Sequence, residues 1–138
     1  MSDLAQSRKA HIEDRLRTEP IIWLGSVRPD GRPHLVPVWF LWDGQTILIL
    51  SKPNNQKLRN IEQNPNVMLA LEAADQGNDI VLVEGTAELV DEPGLTATMP
   101  EYAEKYADLL SRMDWTAEQM ATSYTQAIRV TPSRFLSY

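Results

Sequence analysis

RPHLVPVWFLWDGQTILILSKPNNQKLRNIEQNP, residues 32–65, is the stretch that decides the fold of this chain. Two apolar runs, 33–42 and 46–50, flank Asp43-Gly44. An Asp-Gly pair between two β-rich runs is a strong hairpin signal, because Gly takes the positive φ that the turn requires. The second run stops at Ser51. Lys52-Pro53-Asn54-Asn55-Gln56-Lys57 then leads into the helical spacing of Leu58 and Ile61, which Pro65 ends. Residues 44–61 hold Lys52, Lys57 and Arg59 and no Asp or Glu, in a chain of net charge -6. This reversal of sign falls where a loop becomes a helix N-terminus. Free backbone N–H groups and the helix dipole favour an anion there.

The flanking sequence extends the same pattern. Residues 20–27 read as a strand, and Arg28-Pro29-Asp30-Gly31-Arg32-Pro33 as a turn in which Pro presets φ and Gly supplies the positive φ. Residues 34–42 read as one strand with two apolar faces, His34, Val36, Val38, Phe40 and Trp42 on one and Leu35, Pro37, Trp39 and Leu41 on the other. A strand apolar on both sides is covered on both sides. In so small a domain the second cover is expected to be a second subunit or a flat ligand. Pro37 lacks a ladder donor and marks an edge or a bulge. Further strands are expected at 66–72, 80–90 and 125–136, with Gly85 at a bend or bulge.

Residues 1–18 form an N-terminal helical segment, with Asp3 a candidate cap and Ile12 and Leu16 facing the sheet. Thr98-Met99-Pro100-Glu101 reads as a capping box before an apolar stripe of Tyr102, Tyr106, Leu109, Leu110 and Met113. Thr116-Ala117-Glu118-Gln119 reads as a second box, for a short helix carrying Met120. With no repeat or linker, residues 1–138 are expected to form a single domain of α+β class, a six-stranded antiparallel β-barrel with peripheral helices.

The order and spacing of these features resemble the pyridoxamine 5′-phosphate oxidase-like superfamily, split β-barrels that bind flavins or deazaflavins. The residues that carry the likeness are Asp30-Gly31-Arg32-Pro33 in the first hairpin and Ser51 at the end of the second. Gln56-Lys57 opening the helix, Asn64-Pro65 closing it and Ile128-Arg129-Val130-Thr131-Pro132-Ser133-Arg134 in the last strand complete it. The resemblance implies that a tricyclic ring lies along Val36-Pro37-Val38-Trp39, its pyrimidine edge read by backbone groups. It implies that Lys57 anchors the cofactor phosphate, with hydrogen bonds from Ser51 and Gln56 and smaller contributions from Lys52 and Asn60. It also implies a homodimer with the cofactor at the subunit interface, and hydride transfer to a small conjugated acceptor. No catalytic side chain is assigned. The vitamin-phosphate oxidases carry Arg-x-Val-Leu-x-Lys where this chain has His34-Leu35-Val36-Pro37-Val38-Trp39. Their Arg, their Lys and their C-terminal Trp/Arg motifs are missing here, so vitamin B6 phosphate oxidation is not expected. The apolar version is similar to actinobacterial and chloroflexal members that use the deazaflavin F420. F420 is therefore the expected cofactor, with FMN the alternative.

Plainer readings stand beside these. Lys57 at a helix start also fits a solvated surface, and Ser51 and Gln56 also fit loop capping. Trp23, Trp39 and Trp42 suit either a core or a ring pocket, and Tyr102 and Tyr106 either packing or a lid. The functional rivals are an FMN-binding reductase or oxidase of the same fold, a non-catalytic flavin carrier or sensor, a haem binder with His34 as its axial candidate, and a barrel with an interaction role only.

Composition narrows the classes. No Cys means no disulfide, thiolate metal site or cysteine nucleophile, and two His make a His-rich metal centre improbable. The acidic balance argues against general nucleic-acid binding, which rests on many Lys/Arg–phosphate contacts. No apolar run approaches the length of a membrane span. MSDLAQSRKAHIEDRL has acids and no apolar stretch, so no secretory signal is read and a cytoplasmic location is expected. No nucleophile elbow, phosphate-binding P-loop or dinucleotide-binding glycine motif occurs.

Overall fold

The computed structural model describes residues 3–137, with side chains from residue 6 onward. The elements are α1 (Asp3–Thr18), β1 (Ile22–Val27), β2 (Pro33–Val38), β3 (Leu41–Trp42), β4 (Ile47–Ser51), α2 (Gln56–Gln63), β5 (Asn66–Leu71), a short 3-10 turn, β6 (Val81–Val90), α3 (Pro100–Lys105), α4 (Ala107–Arg112), α5 (Ala117–Ser123) and β7 (Gln126–Ser137). The proposed Asp3 cap concerns a side chain outside the described ones. Among the described residues no helix is long and apolar enough to cross a membrane.

Seven strands form one sheet in the order β2-β1-β5-β6-β7-β4-β3, every neighbouring pair antiparallel. The two edge strands are consecutive in sequence, with only Trp39 and Phe40 between them. Three peptide units span at most about 11 Å, so the sheet must curl until its edges nearly meet. This corrects the expected six strands. The run read as one strand is two, because residues 33–38 pair with β1 whereas 41–42 pair with β4. The chain changes partner at Trp39-Phe40, and alternation of apolar residues carries no mark of that change. Pro37 lies on an edge strand, the place in a sheet where a residue without an N–H is tolerated.

The turns follow from their residues. Gly44 has φ 97°, and the Asp43 carboxylate accepts from the Gln45 amide at 2.8 Å and from the Thr46 hydroxyl at 2.8 Å. The β6–β7 register shifts between Glu84 and Gly85. A Cβ on Gly85 would stand 2.6 Å from the Thr131 carbonyl oxygen, so the bulge needs glycine.

Two apolar clusters lie on opposite sides of the sheet. Among the described residues, the fully buried part of the barrel interior is aliphatic apart from Phe40, with Ile22, Leu24, Ile49, Leu69, Val83 and Ile128 in it and Trp42 packed against it. Each such side chain contributes about 1.5–3 kcal/mol by leaving water. Outside, α3–α5 cover Leu48, Leu50 and Ala127 with Tyr102, Tyr106, Leu110 and Met120. Strand β4 serves both: Ile47 and Ile49 face inward, Leu48 and Leu50 outward, and all are buried. Helix α1 buries Ile12 and Leu16. Its buried Arg15 donates to the backbone carbonyls of Glu72 and Asp79, the latter at 3.0 Å.

The helical region departs from expectation twice. The stripe 102–113 is two helices, broken at Tyr106 (φ -105°, ψ 11°), and Met113 is 56% exposed instead of joining the stripe. The first capping box does not form. The Thr98 hydroxyl lies 2.6 Å from that of Thr96 and is engaged there, and Met99 becomes the N-cap without a side-chain bond. The second box forms, with Thr116 and Gln119 satisfying each other's amides.

Candidate functional site

A pocket of about 600 Å³ opens between the end of β2, the start of α2 and the α4–α5 cover. One wall is Pro37, Val38 and Trp39, at the end of the edge strand and the start of the link. A second is polar and basic: Lys52, Asn55 and Lys57. The third comes from Met113, Trp115, Met120 and Tyr124, with Ile21 and Leu50 behind. Among the described residues no carboxylate lines it.

Lys57 is the second residue of α2 and is half-buried. Burial pushes its ammonium below the ordinary lysine range. Among the described residues neither Lys57 nor Lys52 has a carboxylate at ion-pair distance. A desolvated cation without a partner is costly, and an anionic ligand would remove that cost. Lys52 is exposed, its Nζ 5.6 Å from the centre of the Tyr124 ring. Asn55 caps α2 through its backbone only, leaving its carboxamide uncommitted to the helix. The first turn of α2 holds no acid, so its N–H groups present an unopposed positive end.

Of the residues singled out in the sequence, Pro37, Val38, Trp39, Lys52 and Lys57 meet in this pocket. Val36, Ser51, Gln56 and Asn60 do not line it. Ser51 is buried and donates its hydroxyl to the Lys52 carbonyl at 2.8 Å. Gln56 and Asn60 belong to a relay beneath the loop. The Asn60 carboxamide donates to Ser26 Oγ at 3.0 Å and accepts from Gln56 Nε2 at 2.8 Å. Gln56 Oε1 accepts from Arg59 at 2.8 Å, and Arg59 also donates to the Asn54 carbonyl at 2.7 Å. This relay ties α2 and the Asn54 turn to β1, so these side chains fix the loop that carries the lysines.

Trp23 and Trp42 lie elsewhere, Trp42 edge-on to Phe135 with ring centres 6.1 Å apart. Tyr102 and Tyr106 are fully buried packing groups. His34 stands outside the pocket. Burial holds its imidazole below the ordinary range, helped by the charges of Arg28 and Lys57. Its Nδ1 is buried without a hydrogen-bond partner among the described residues. Sequence reasoning missed Ile21, Leu50, Asn55, Met113, Trp115, Met120 and Tyr124. Asn55 was open to recognition inside the acid-free window. The others read as ordinary apolar residues, and only the folded chain brings them to β2.

The sequence model described as pyridoxamine 5'-phosphate oxidase matches residues 9–137. The chain belongs to that family. Among solved structures, this family member is similar to one described as an F420 reductase, at 28% identity and a TM-score of 0.66, covering 89% of this chain and 94% of that one. A conserved hypothetical protein from Mycobacterium tuberculosis is 29% identical, with a TM-score of 0.76 over 100% of this chain and 84% of that one. The haem storage protein HutZ from Vibrio cholerae shares 17% identity at a TM-score of 0.65, over 99% and 95% of the two chains. At that identity the likeness concerns the fold alone. A comparison with the curated proteins returned no match.

Proposed function

We propose that this chain is a cytoplasmic, homodimeric oxidoreductase that binds F420, with FMN the alternative, and reduces a small conjugated acceptor by hydride transfer. One observation carries the reading: a half-buried lysine without an acidic partner among the described residues, at a helix N-terminus, closes one end of a pocket whose other walls are apolar. A pocket of about 600 Å³ lies within the range of roughly 300–1,000 Å³ that organic ligands occupy. A flat phosphorylated cofactor is complementary to both ends.

When bound, the cofactor supplies the hydride. The chain binds and orients. Lys57 and the first N–H groups of α2 meet the phosphate, with Lys52 and Asn55 beside them. Pro37, Val38 and Trp39 form a flat apolar wall that keeps water from the ring. Strand β2 is an edge, so alternate backbone groups have no sheet partner and are free to read the polar rim of a ring. Ser51, Gln56 and Asn60 hold the loop from below. The apolar ring strand and the 28% identity to an F420 reductase favour F420 over FMN. Leu35 and Met68, 63% and 40% exposed on β2 and β5, give the face that a second copy would cover.

Absorbance titration of the purified protein with F420, FMN and haem tests this. F420 is expected to bind most tightly. Lys57→Ala removes a charge-assisted hydrogen bond of roughly 1.5–3 kcal/mol, so its affinity should fall by about one to two orders of magnitude. Lys9→Ala should match wild type. Equal affinity across all three proteins would reduce the basic window to a solvated helix start. Stoichiometric FMN that F420 does not displace would make FMN the cofactor.

A further inference from the structure

We propose that Tyr106, with Lys105 beside it, is a positioning residue for the pocket: it clamps the link between the two sheet edges and so fixes the Pro37–Trp39 wall. The inference rests on the cofactor reading above. Phe40 lies in the link, belongs to no strand and is fully buried. Its backbone groups therefore need partners from elsewhere. Its N–H donates to the Tyr106 hydroxyl at 2.8 Å. Its carbonyl accepts from Lys105 Nζ at 2.8 Å. The Tyr106 oxygen is also 2.9 Å from the Phe40 carbonyl and 2.8 Å from the Pro20 carbonyl. A phenol has one proton. With Lys105 already on Phe40, donation to Pro20 leaves every group paired and ties the link to the entry of β1.

The same ring sets Trp39. Its indole lies parallel to the Tyr106 ring, centroids 4.3 Å apart and planes within 1°. Tyr106 thus backs one face of the residue that closes the pocket wall. Lys105 adds a second hold, its Nζ 3.7 Å from the centre of the Phe40 ring. Two side chains distant in sequence, one from the last residue of α3 and one from the break between α3 and α4, replace the sheet bonds that the link lacks.

Tyr102 supplies a matched control. It lies one turn earlier, in α3, is fully buried, and its ring centre is 4.9 Å from that of Tyr106. Its hydroxyl, however, has no partner among the described residues. Tyr106→Phe and Tyr102→Phe each remove one buried oxygen and keep the ring. The experiment measures Phe40 amide hydrogen exchange, F420 and FMN affinity, and the absorption band of the bound cofactor, at a temperature where circular dichroism shows all proteins folded. Tyr106→Phe should speed Phe40 exchange, shift the band and weaken binding by about fivefold or more, the equivalent of one lost hydrogen bond. Tyr102→Phe should leave all three at wild-type values. Should Tyr106→Phe fail to fold, Lys105→Met, which removes the bond to the Phe40 carbonyl, should move the same readouts in the same direction. Fast Phe40 exchange with unchanged affinity would overturn the inference, as would equal losses in both tyrosine variants. Wild type that binds neither cofactor would instead remove the cofactor reading, and this inference with it.

Discussion

The two faces of β4 meet different chemistry. Inside the barrel, Ile47 and Ile49 pack among aliphatic side chains, and Phe40 is the one fully buried aromatic described there. Outside, Leu48 and Leu50 pack under Tyr102, Tyr106, Trp39, Trp115 and Tyr124. Aliphatic packing excludes water and offers no directional contact. Aromatic packing excludes water too, but it brings hydroxyls and flat faces that aim neighbouring groups. The pocket opens on the aromatic side, and its wall is held by a hydroxyl and a stacked ring. One layer supplies stability, and the other also sets geometry.

Ile49→Ala tests that division with the largest expected effect. It should cost about 2–5 kcal/mol of stability, the range for deleting a fully buried Ile side chain, as read by urea denaturation. Ligand affinity of the folded fraction should stay at the wild-type value. Leu50→Ala, on the pocket side of the same strand, should lower both.

A second test uses pH. Burial pulls the Lys105 ammonium down to about 8, against the smaller opposing effect of the Glu19 carboxylate. The unfolded chain therefore binds more protons than the folded one between about pH 8 and the ordinary lysine value near 10.4. Stability from this group rises with pH across that window, at no more than about 1.4 kcal/mol per pH unit for one proton. Lys105→Met should flatten the slope of unfolding free energy measured from pH 8 to 10. An unchanged slope would place the lysine in water, not over the Phe40 ring.

Thr116→Ala should have the smallest effect. It removes the box that starts α5 and should cost about 1 kcal/mol. Because α5 carries Met120 and leads into Tyr124, both lining the pocket, hydrogen exchange should rise there and remain unchanged in β4 and β5.

The legible parts of this fold were those written in local chemistry. Asp43-Gly44, the Thr116 box and the Gly85 bulge each depend on a few adjacent residues, and each stands where the sequence placed it. The acid-free window around Lys57 was legible for the same reason. The break at Trp39-Phe40 was not, since both faces of residues 34–42 read as apolar and the partners that hold the break, Lys105 and Tyr106, lie at the far end of α3, late in the chain. The third wall of the pocket was hidden likewise. Met113, Trp115 and Tyr124 have nothing in their own neighbourhood that distinguishes a pocket lining from a core. The roles of Gln56 and Asn60 turned on Ser26, which belongs to another strand.

The place of β7 governs how the chain is made. Among the described strands it comes last in sequence, yet it lies between β6 and β4. Until synthesis passes residue 137, β4 and β6 emerge with their mutual neighbour missing, and each presents an open ladder of backbone donors and acceptors. Such edges recruit other strands. The β4–β7 pairing also joins Ile47 to Val130, and contacts this distant in sequence slow the search for the native state. A nascent chain of this protein thus waits on residues 126–137 for the step that closes its sheet. The interval before it is when a chaperone, or a stray partner, has its access.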